Sequence, residues 1–270
     1  MRLTKHHGLG NDFLVLLDPA GDRPMTPELV KQLCARTTGI GADGLLRATR
    51  STGQTTAVAV MELFNADGSR AEMSGNGIRC LAQALLRYGW ATPPDVAIST
   101  DAGVRIVSWC AGVDDSTDVL EVDMGPVHLG ADAPEWTGGP LRRAAWADIG
   151  NPHLVVELDD EAADVDLVTL GEKVNAGVSG GANIHLVAVL RRDGLFVRTY
   201  ERGVGLTEAC GTGACASAAV AQRWGLVDDQ VTVRMPGGEA QVTLGPTVRL
   251  TGPATVVGAI EVPAPSQGVG

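Results

Sequence analysis

Aromatic residues, positive charge and long apolar runs are all scarce in this chain of 270 residues. Aromatic residues make up 4% of it, and a net charge of −11 lacks the basic excess that sequence-independent nucleic-acid binding requires. No run of about 18 apolar residues occurs, so we expect no membrane-spanning helix. The first residues also lack the apolar core of a signal peptide. The sequence therefore predicts no nucleic-acid partner and no membrane association, and we expect a cytoplasmic protein.

Cysteine is also infrequent, and the five cysteines form an odd number. A chain of this length can bury a core large enough to fold without disulfide bonds. We therefore interpret the cysteines as reduced thiols, in agreement with a cytoplasmic location. The five histidines show no metal-ligand spacing, so no metal site is predicted.

Glycine, by contrast, is abundant with 35 residues, and several glycine-rich blocks occur twice. Four segments of the first half match segments of the second half in the same order, at offsets of 140 or 136 residues: 10–15 with 150–155, 41–43 with 181–183, 64–65 with 200–201, and 72–77 with 208–213. A fixed order at nearly constant spacing indicates an internal duplication. We predict an N-terminal half, 1–114, and a C-terminal half, 115–257. We expect a last strand, at about 258–270, to join the N-terminal half.

Short β-branched runs alternate with turn residues and helix-opening segments. Strands are predicted at residues 14–17, 56–63, 96–99 and 104–109. Helices are predicted from the Thr26-Pro27 cap to about Arg36, at about 76–88, and at about 212–224. The last of these helices is apolar nearly all round, which indicates burial on every side. The composition therefore favours a small-residue helix enclosed by strands in each half.

Two glycine-rich blocks at predicted helix starts are the main candidates for chemistry. Cys210 precedes Gly-Thr-Gly, and Ser74 stands at the matching position before Gly-Asn-Gly. Free N–H groups at a helix N-terminus attract an anion, and the same field lowers a cysteine pKa from about 8.5 toward neutrality. If the two helix starts face each other across a cleft, residues 74 and 210 approach one carbon from opposite sides. That geometry inverts a stereocentre, whereas the structural alternative for Cys210 is a buried cysteine in a turn.

Five blocks resemble the diaminopimelate epimerase family: HGLGNDF at 7–13, FNADGS at 64–69, GNPH at 150–153, YERG at 200–203 and ACGTGAC at 209–215. The resemblance runs from Lys5 to about Thr251. It implies a two-base epimerase, without metal or other cofactor, that interconverts LL- and meso-diaminopimelate. It also implies an α/β (α+β) fold of two pseudo-symmetric domains, each a barrel-like mixed sheet around a central helix. The resemblance further suggests a homodimer.

The resemblance also implies twelve site residues for a small amino-acid substrate with a distal carboxylate. Cys210 matches one catalytic base, and Ser74 stands in the place of the other. Arg202 matches the arginine that binds the distal carboxylate, a task suited to its forked donors. Glu201 matches a carboxylate placed for the substrate ammonium. The remaining substrate-binding residues are amides and helix-start residues: Asn11, Asn65, Gly75, Asn76, Asn151, Asn183, Gly211 and Thr212.

Ser74 departs from the family, which has its first catalytic cysteine at this position. A serine hydroxyl does not act as a base at neutral pH without an activator. Cys80 cannot replace it, because six helical residues move it about 9 Å along the axis and onto another face. Three explanations stay open: a substitution that traps ligand, a natural variant acting with water or a neighbour, and different chemistry, such as a one-thiol racemase or eliminase for another amino acid. A binding protein that has lost one base is the alternative to an enzyme.

Two smaller departures concern the rim of the expected pocket. Leu206 stands where the family usually has glutamate, and His185 stands where a small or acidic residue is common. His153 is interpreted as a structural or pocket-lining residue beside Asn151. Residues 39–44 satisfy a G-x-G-x-x-G pattern, but it follows a predicted helix rather than a strand. Dinucleotide binding is therefore not predicted.

Overall fold

The structure is a computed structural model that describes residues 1–52, 56–71, 73–160 and 164–263. Within these ranges the α-helices are Pro27–Cys34 (α1), Gly75–Arg87 (α2), Leu167–Gly177 (α3) and Gly211–Arg223 (α4). The predicted starts of all three sequence-derived helices are confirmed to within one residue. Helix α1 ends two residues earlier than expected. None of these helices is long and apolar enough to cross a membrane.

Strands make up most of the remaining regular structure. Those before residue 126 are Arg2–Gly8 (β1), Asn11–Leu17 (β2), Gly44–Arg50 (β3), Ala59–Asn65 (β4), Arg70–Ala71 (β5), Asp95–Thr100 (β6), Gly103–Gly112 (β7) and Thr117–Gly125 (β8). Those after it are His128–Asp132 (β9), Leu141–Asp148 (β10), Pro152–Leu158 (β11), Asn183–Arg191 (β12), Gly194–Glu201 (β13), Gly205–Thr207 (β14), Gln230–Met235 (β15), Gly238–Thr243 (β16) and Val248–Glu261 (β17). The four predicted strands lie in β2, β4, β6 and β7, although β4 begins three residues later than expected.

Eight strands close into a ring within the described ranges. In order around it, β1, β2, β3, β4, β6, β7, β8 and β17 each pair with the next, and β17 pairs with β1. Helix α2 lies against six of these strands and is buried from Gly75 to Leu85. The helix is therefore the core of the first ring, and its start is held at a fixed point.

A second ring repeats this arrangement with later strands. Strands β10, β11, β12, β13, β15, β16 and β17 pair in succession, and β9, which follows β8, pairs with β10. Helix α4 is buried from Gly211 to Ala221. It contacts seven strands of this ring: β10, β11, β12, β13, β15, β16 and β17. Its Gly, Ala, Ser and Cys side chains are small enough to let strands pack closely around it. The predicted mixed fold, with a barrel-like sheet around each central helix, is confirmed.

Strand β17 belongs to both rings. Residues 249–251 pair with β16, residues 248–255 with β8, and residues 255–261 with β1. The predicted division at 114 and 257 stays a prediction, and residues 264–270 of the expected last strand lie outside the described residues. Sharing one strand fixes the two rings side by side, and with them the starts of α2 and α4.

Candidate active site

The first residues of α2 and α4 touch each other between the two rings. A Cβ built on Gly75 would lie 3.4 Å from the Cα of Gly211, and one built on Gly211 would lie 3.1 Å from the Cα of Gly75. Either added atom would also lie within 2.9 Å of Leu250 Cδ2. Only glycine permits this approach, which brings two sets of free helix N–H groups to one place.

Ser74 and Cys210 occupy the same position, the N-cap of their helices. The Ser74 Oγ accepts the N–H of Gly77 at 3.0 Å, and the Cys210 Sγ accepts the N–H of Gly213 at 3.4 Å. Both caps have extended backbone angles, with φ of −141° and −128°. The duplicated sequence blocks thus fold into duplicated caps, and both side chains line one cleft.

This cleft encloses about 840 Å³, its open mouth included. The structure places all twelve residues that the sequence assigned to the site along it: Asn11, Asn65, Ser74, Gly75, Asn76, Asn151, Asn183, Glu201, Arg202, Cys210, Gly211 and Thr212. Sequence reasoning missed eight further lining residues: Phe13, Asp43, Leu63, Ala71, Met73, Val204, Thr207 and Ala209. The assigned residues come together, while their individual roles stay predictions.

Asp43 is the most informative of the missed residues. Its Oδ2 accepts the Nδ2 of Asn11 at 2.9 Å, which fixes the direction of the Asn11 amide. The Asn11 Oδ1 then accepts the Nδ2 of Asn76 at 3.3 Å, and the same Nδ2 reaches the carbonyl oxygen of Ala209 at 3.3 Å. The repeated block that contains Asn183 gave the signal, because Asp43 stands at the matching position.

A charged cluster supports this side of the cleft; it consists of Lys5, Asp12, Arg36 and Asp43. Asp12 is bound by Lys5 and Arg36, each at 2.8 Å, and Arg36 also binds Asp43 at 2.7 Å. Burial raises the pKa of Asp12, but hydrogen bonds from Arg36 and Lys5 outweigh it and lower that pKa to about 2. Asp12 is therefore ionised at neutral pH, and its ion pair with Arg36 helps to hold Asp43 in place.

Arg79 lies fully buried behind the start of α2. Its guanidinium donates to the carbonyl oxygen of Gly75 at 3.1 Å and to the Oδ1 of Asn76 at 2.7 Å. Gly8 and Gly252 leave room for it, since a Cβ on either would lie 3.4 or 3.1 Å from its Nη2. Burial lowers the pKa of Arg79 to about 10, so it remains charged at neutral pH. This charge and the helix N-termini together favour an anion at this end of the cleft.

Cys210 differs from the sequence expectation in its pKa. Burial raises the pKa of this thiol well above its usual range, and the charge of Glu201 raises it further. The predicted shift toward neutrality is wrong for this structure, because burial outweighs the helix N-terminus and the hydrogen bond from Thr212, at 3.4 Å. Burial also raises the pKa of Glu201, against hydrogen bonds from Thr207, at 2.8 Å, and from Cys210. A protonated thiol thus lies beside a carboxylate that can accept its proton.

The mouth of the cleft carries a guanidinium and several amides. The backbone N–H of Arg202 donates to Asn183 Oδ1 at 2.9 Å, and its Nη1 donates to the carbonyl of Gly180 at 2.6 Å. Asn65 Nδ2 donates to Ser69 Oγ at 3.0 Å. Arg202 and Asn65 also line an adjoining outer cavity. These groups offer hydrogen-bond donors and acceptors to the cleft and to the outer cavity.

His185 does not lie at the rim of the pocket, as its departure from the family had suggested. Its ring is fully buried under the first turn of α4, where a Cβ on Gly213 would lie 2.1 Å from Cε1. It contacts His153, which is also fully buried and reaches Asn151 Oδ1 at 2.8 Å. Leu206, the other departure, is 58% exposed. His153 is therefore a supporting residue, since it does not line the cleft.

Two further groups of residues also bear on cofactor and metal binding. Residues 39–44 connect α1 to β3 rather than opening a helix, so they lack the geometry of a dinucleotide site. In the described part of the chain, no group of three or more His, Cys, Asp or Glu side chains is placed to hold a metal ion. Cys80 and Cys215 are buried in the core, where burial raises the pKa of each to about 12.

Paired helix starts that share one cleft, each inside its own ring of strands, define a pseudo-symmetric protein of two rings with a single site between them. The sequence profile described as Diaminopimelate epimerase matches residues 3–130 and 145–257. The chain therefore belongs to the diaminopimelate epimerase family, and it is an isomerase. The resemblance found in the sequence motifs is confirmed.

Individual relatives agree with this assignment. The chain is 37% identical over 277 residues to a diaminopimelate epimerase of Synechococcus elongatus, covering 95% of this chain and 96% of the relative. It is 37% identical over 280 residues to an O-ureido-serine racemase of Streptomyces lavendulae, covering 94% and 92%. A probable proline racemase from Agrobacterium radiobacter shares the fold, with a TM-score of 0.76 at 18% identity, covering 99% and 94%. These relatives have differently named substrates, so the substrate must be argued from the site.

Proposed function

We propose that this isomerase interconverts LL- and meso-2,6-diaminopimelate by proton transfer at the α-carbon. In this proposal Cys210 and Ser74 act on opposite faces of that carbon, and no cofactor takes part. The contact between Gly75 and Gly211 carries the proposal, because it brings the two helix starts and their capping side chains to one cleft, and this supports a single anion site between them. A substrate α-carboxylate held there would present its Cα to both caps.

The helix starts also suit the charge that develops during the reaction. When Cα loses its proton, the electron pair of the broken C–H bond delocalises into the α-carboxylate. Free N–H groups of α2 and α4 then face a growing negative charge, with the buried cation of Arg79 behind Asn76. Preorganised donors of this kind stabilise a transition state more than a ground state.

On the face of the substrate next to Cys210, the side chains of Cys210 and Glu201 can both remove the α-proton and return it. Glu201 accepts the thiol proton, and the resulting thiolate removes the α-proton, so that one S–H bond is replaced by another. In the reverse direction the thiol returns a proton to the carbanion. Burial raises the pKa of both groups, so the thiol keeps its proton in the free protein.

The face of the substrate next to Ser74 is less suited to proton transfer. The Ser74 Oγ accepts the Gly77 N–H, and no carboxylate or histidine is hydrogen-bonded to it among the residues that the structure describes. A hydroxyl without an activator is a poor base and a poor acid at neutral pH. We therefore expect exchange of the α-proton on the Cys210 face to be faster than inversion.

Deuterium incorporation tests this proposal directly. Separate samples of LL- and meso-diaminopimelate are incubated with the native chain in D₂O, and the recovered isomers are analysed for Cα deuterium. We expect deuterium in recovered substrate ahead of its appearance in the inverted isomer. A Cys210→Ala variant gives the background. If neither isomer gains deuterium above this background, the chain is better described as an amino-acid-binding homologue.

The Streptomyces relative supports a second candidate, racemisation of O-ureido-serine or a similar amino acid. The two candidates differ in the distal group, which is a carboxylate in diaminopimelate and a neutral ureido group in the other substrate. Replacing Arg202 by methionine removes a cation that contributes about 1.5–3 kcal/mol in a hydrogen bond to a charged group. We expect this variant to weaken diaminopimelate binding at least tenfold, with a smaller effect on O-ureido-serine. A larger effect on the ureido compound would favour the second candidate.

A further inference from the structure

We propose that His185 and His153 are positioning residues that turn the amide N–H₂ of Asn151 into the cleft. Neither ring lines the cleft, and both are fully buried. Their effect would reach the substrate only through Asn151, which does line it. The substrate part of this proposal rests on the proposed function, whereas the direction of the hydrogen bonds does not.

A chain of hydrogen bonds crosses three neighbouring strands to reach Asn151. It starts at Thr199 on β13, whose Oγ1 lies 3.0 Å from His185 Nδ1 on β12. His185 Nε2 lies 2.7 Å from His153 Nδ1 on β11, and His153 Nε2 lies 2.8 Å from Asn151 Oδ1. Each ring uses both nitrogens, so neither is free to rotate without breaking a contact.

The amide oxygen at the end of this chain sets its direction. Asn151 Oδ1 can only accept, so His153 Nε2 carries the proton. His153 Nδ1 then accepts, and the proton of the next contact lies on His185 Nε2. His185 Nδ1 accepts in turn from the Thr199 hydroxyl. Every bond therefore points toward Asn151, and both neutral rings have the same tautomer.

Burial keeps both rings neutral, as this chain of bonds requires. It lowers the pKa of His153 to about 3, with a further contribution from Arg202, and it lowers the pKa of His185 well below its usual range. A protonated ring would carry a positive charge in a fully buried site, which costs free energy that the neutral form does not.

The orientation has a consequence for the ligand. With its oxygen bound to His153, Asn151 offers only N–H donors to the cleft, next to the guanidinium of Arg202. Two donors at the mouth select a group rich in acceptor oxygens, such as the distal carboxylate of diaminopimelate. An ammonium group placed against Asn151 and Arg202 would meet donors from both of these residues. The histidine pair thus favours a carboxylate over an ammonium group at Asn151.

Nuclear magnetic resonance can test the direction without any substrate. In protein labelled with ¹⁵N-histidine, two-bond ¹H–¹⁵N correlations at pH 7 show which ring nitrogen carries the proton. We expect His153 and His185 both to be neutral with the proton on Nε2. Protons on Nδ1 of both rings would mean a reversed chain and a flipped Asn151 amide. That result, or an imidazolium at either position, would overturn the proposal.

Variants of His185 test the effect on the substrate. Glutamine can donate and accept as the ring does, whereas leucine, the residue at the matching position 45, can do neither. For exchange of meso-diaminopimelate we expect His185→Leu to raise KM about tenfold, roughly the weight of one charge-assisted hydrogen bond. We expect its kcat to change less than threefold. His185→Gln should restore KM to within about threefold of the native value.

A control separates positioning from general loss of packing. His6 is equally buried and is bonded to Thr4 and Gln83, away from the cleft. His6→Leu should lower the unfolding temperature and leave KM unchanged. Equal KM increases in His6→Leu and His185→Leu would overturn the proposal. If the native chain neither binds meso-diaminopimelate in calorimetry nor exchanges its α-proton, the proposed function fails, while the ring tautomers still decide the hydrogen-bond direction.

Discussion

The two halves of the molecule hold the side-chain amides of Asn11 and Asn151 differently: one is held by charged side chains and the other by neutral histidines. Asn11 rests on the charged cluster, and its Nδ2 is bound to Asp43. Asn151 stands at the matching position, and its Oδ1 is bound to the neutral histidine pair. A duplicated backbone has thus kept its glycine contacts while the side chains behind the cleft have diverged. The cleft is symmetric in shape and asymmetric in the hydrogen-bonding atoms that it presents.

The same contrast holds at the helix caps. Ser74 and Cys210 have the same backbone position and the same bond to the third helical N–H, but only Cys210 carries a thiol, which loses its proton more readily than a serine hydroxyl in the same environment. Symmetry of fold therefore does not imply symmetry of rate between the two faces of a substrate. The first two predictions below remove this difference, and the other two test the histidine pair and the glycine contact.

Replacing Cys210 by serine makes the two caps alike and should have the largest effect. We expect α-proton exchange to fall by about 10³-fold, within the range for loss of an acid–base group. The measurement is deuterium incorporation into meso-diaminopimelate. Cys215→Ala, in the buried face of the same helix, is the control and should retain exchange to within about twofold. Retention of exchange in Cys210→Ser would exclude this thiol as the base.

Replacing Ser74 by cysteine makes the caps alike in the other direction. A second thiol should raise the rate of inversion by about 10²-fold, because both faces then carry a competent acid–base group. The ratio of inversion to exchange, measured by chiral chromatography and mass spectrometry, should approach one. An unchanged ratio would show that residue 74 does not act on the reacting carbon.

Lowering the pH should lower the free energy of unfolding, because the buried histidines are neutral in the folded chain. His153 has a pKa of about 3 in the folded chain and about 6.5 when unfolded, so below pH 6.5 the unfolded chain binds the additional proton. Stability therefore falls with falling pH, by about 1.4 kcal/mol per unit for this residue, or about 2 kcal/mol at pH 5. Urea unfolding at pH 7 and pH 5 measures the change.

Introducing phenylalanine, the residue at the matching position 13, tests this assignment. His153→Phe should show a smaller loss between the two pH values than the native chain. His128→Phe, at an exposed position, should show the native loss. An equal loss in all three proteins would contradict the assignment of a buried neutral ring at position 153.

The fourth prediction adds one methyl group at the glycine contact. Gly75→Ala and Gly211→Ala each force a Cβ against Leu250 and the facing helix, so we expect each to cost about 1–3 kcal/mol of unfolding free energy. Gly177→Ala, where a Cβ meets no atom within 4 Å, is the matched control. Similar unfolding curves for all three variants would show that the helix starts are not in tight contact.

Local sequence patterns predicted the features that depend on local rules. The starts of α1, α2 and α4 follow from capping residues and first-turn glycine or proline, and the resemblance to the family assigned twelve residues that all lie along one cleft. Asp43 could have been found from the duplicated blocks, through its match to Asn183. These features needed no knowledge of which strands pair.

Contacts between distant segments could not be read from the sequence. The ring under Gly213 belongs to His185, 28 residues earlier in the chain, and its burial depends on how α4 packs on β12. The raised pKa of Cys210 likewise depends on burial by both rings and on Glu201. The predicted helix-start effect on this thiol was reasonable locally and was outweighed by tertiary structure.

Strand β17 has a consequence for the order in which the molecule can be completed during synthesis. Strand β1 is synthesised before every other described strand, but its neighbour on one side is residues 255–261 of β17, the described strand that is synthesised last. Until those residues emerge, the first ring has an open edge that can pair with any available strand. All the other described strands of both rings are therefore made before the first ring can close, which gives its earliest strands the longest exposure to misassociation.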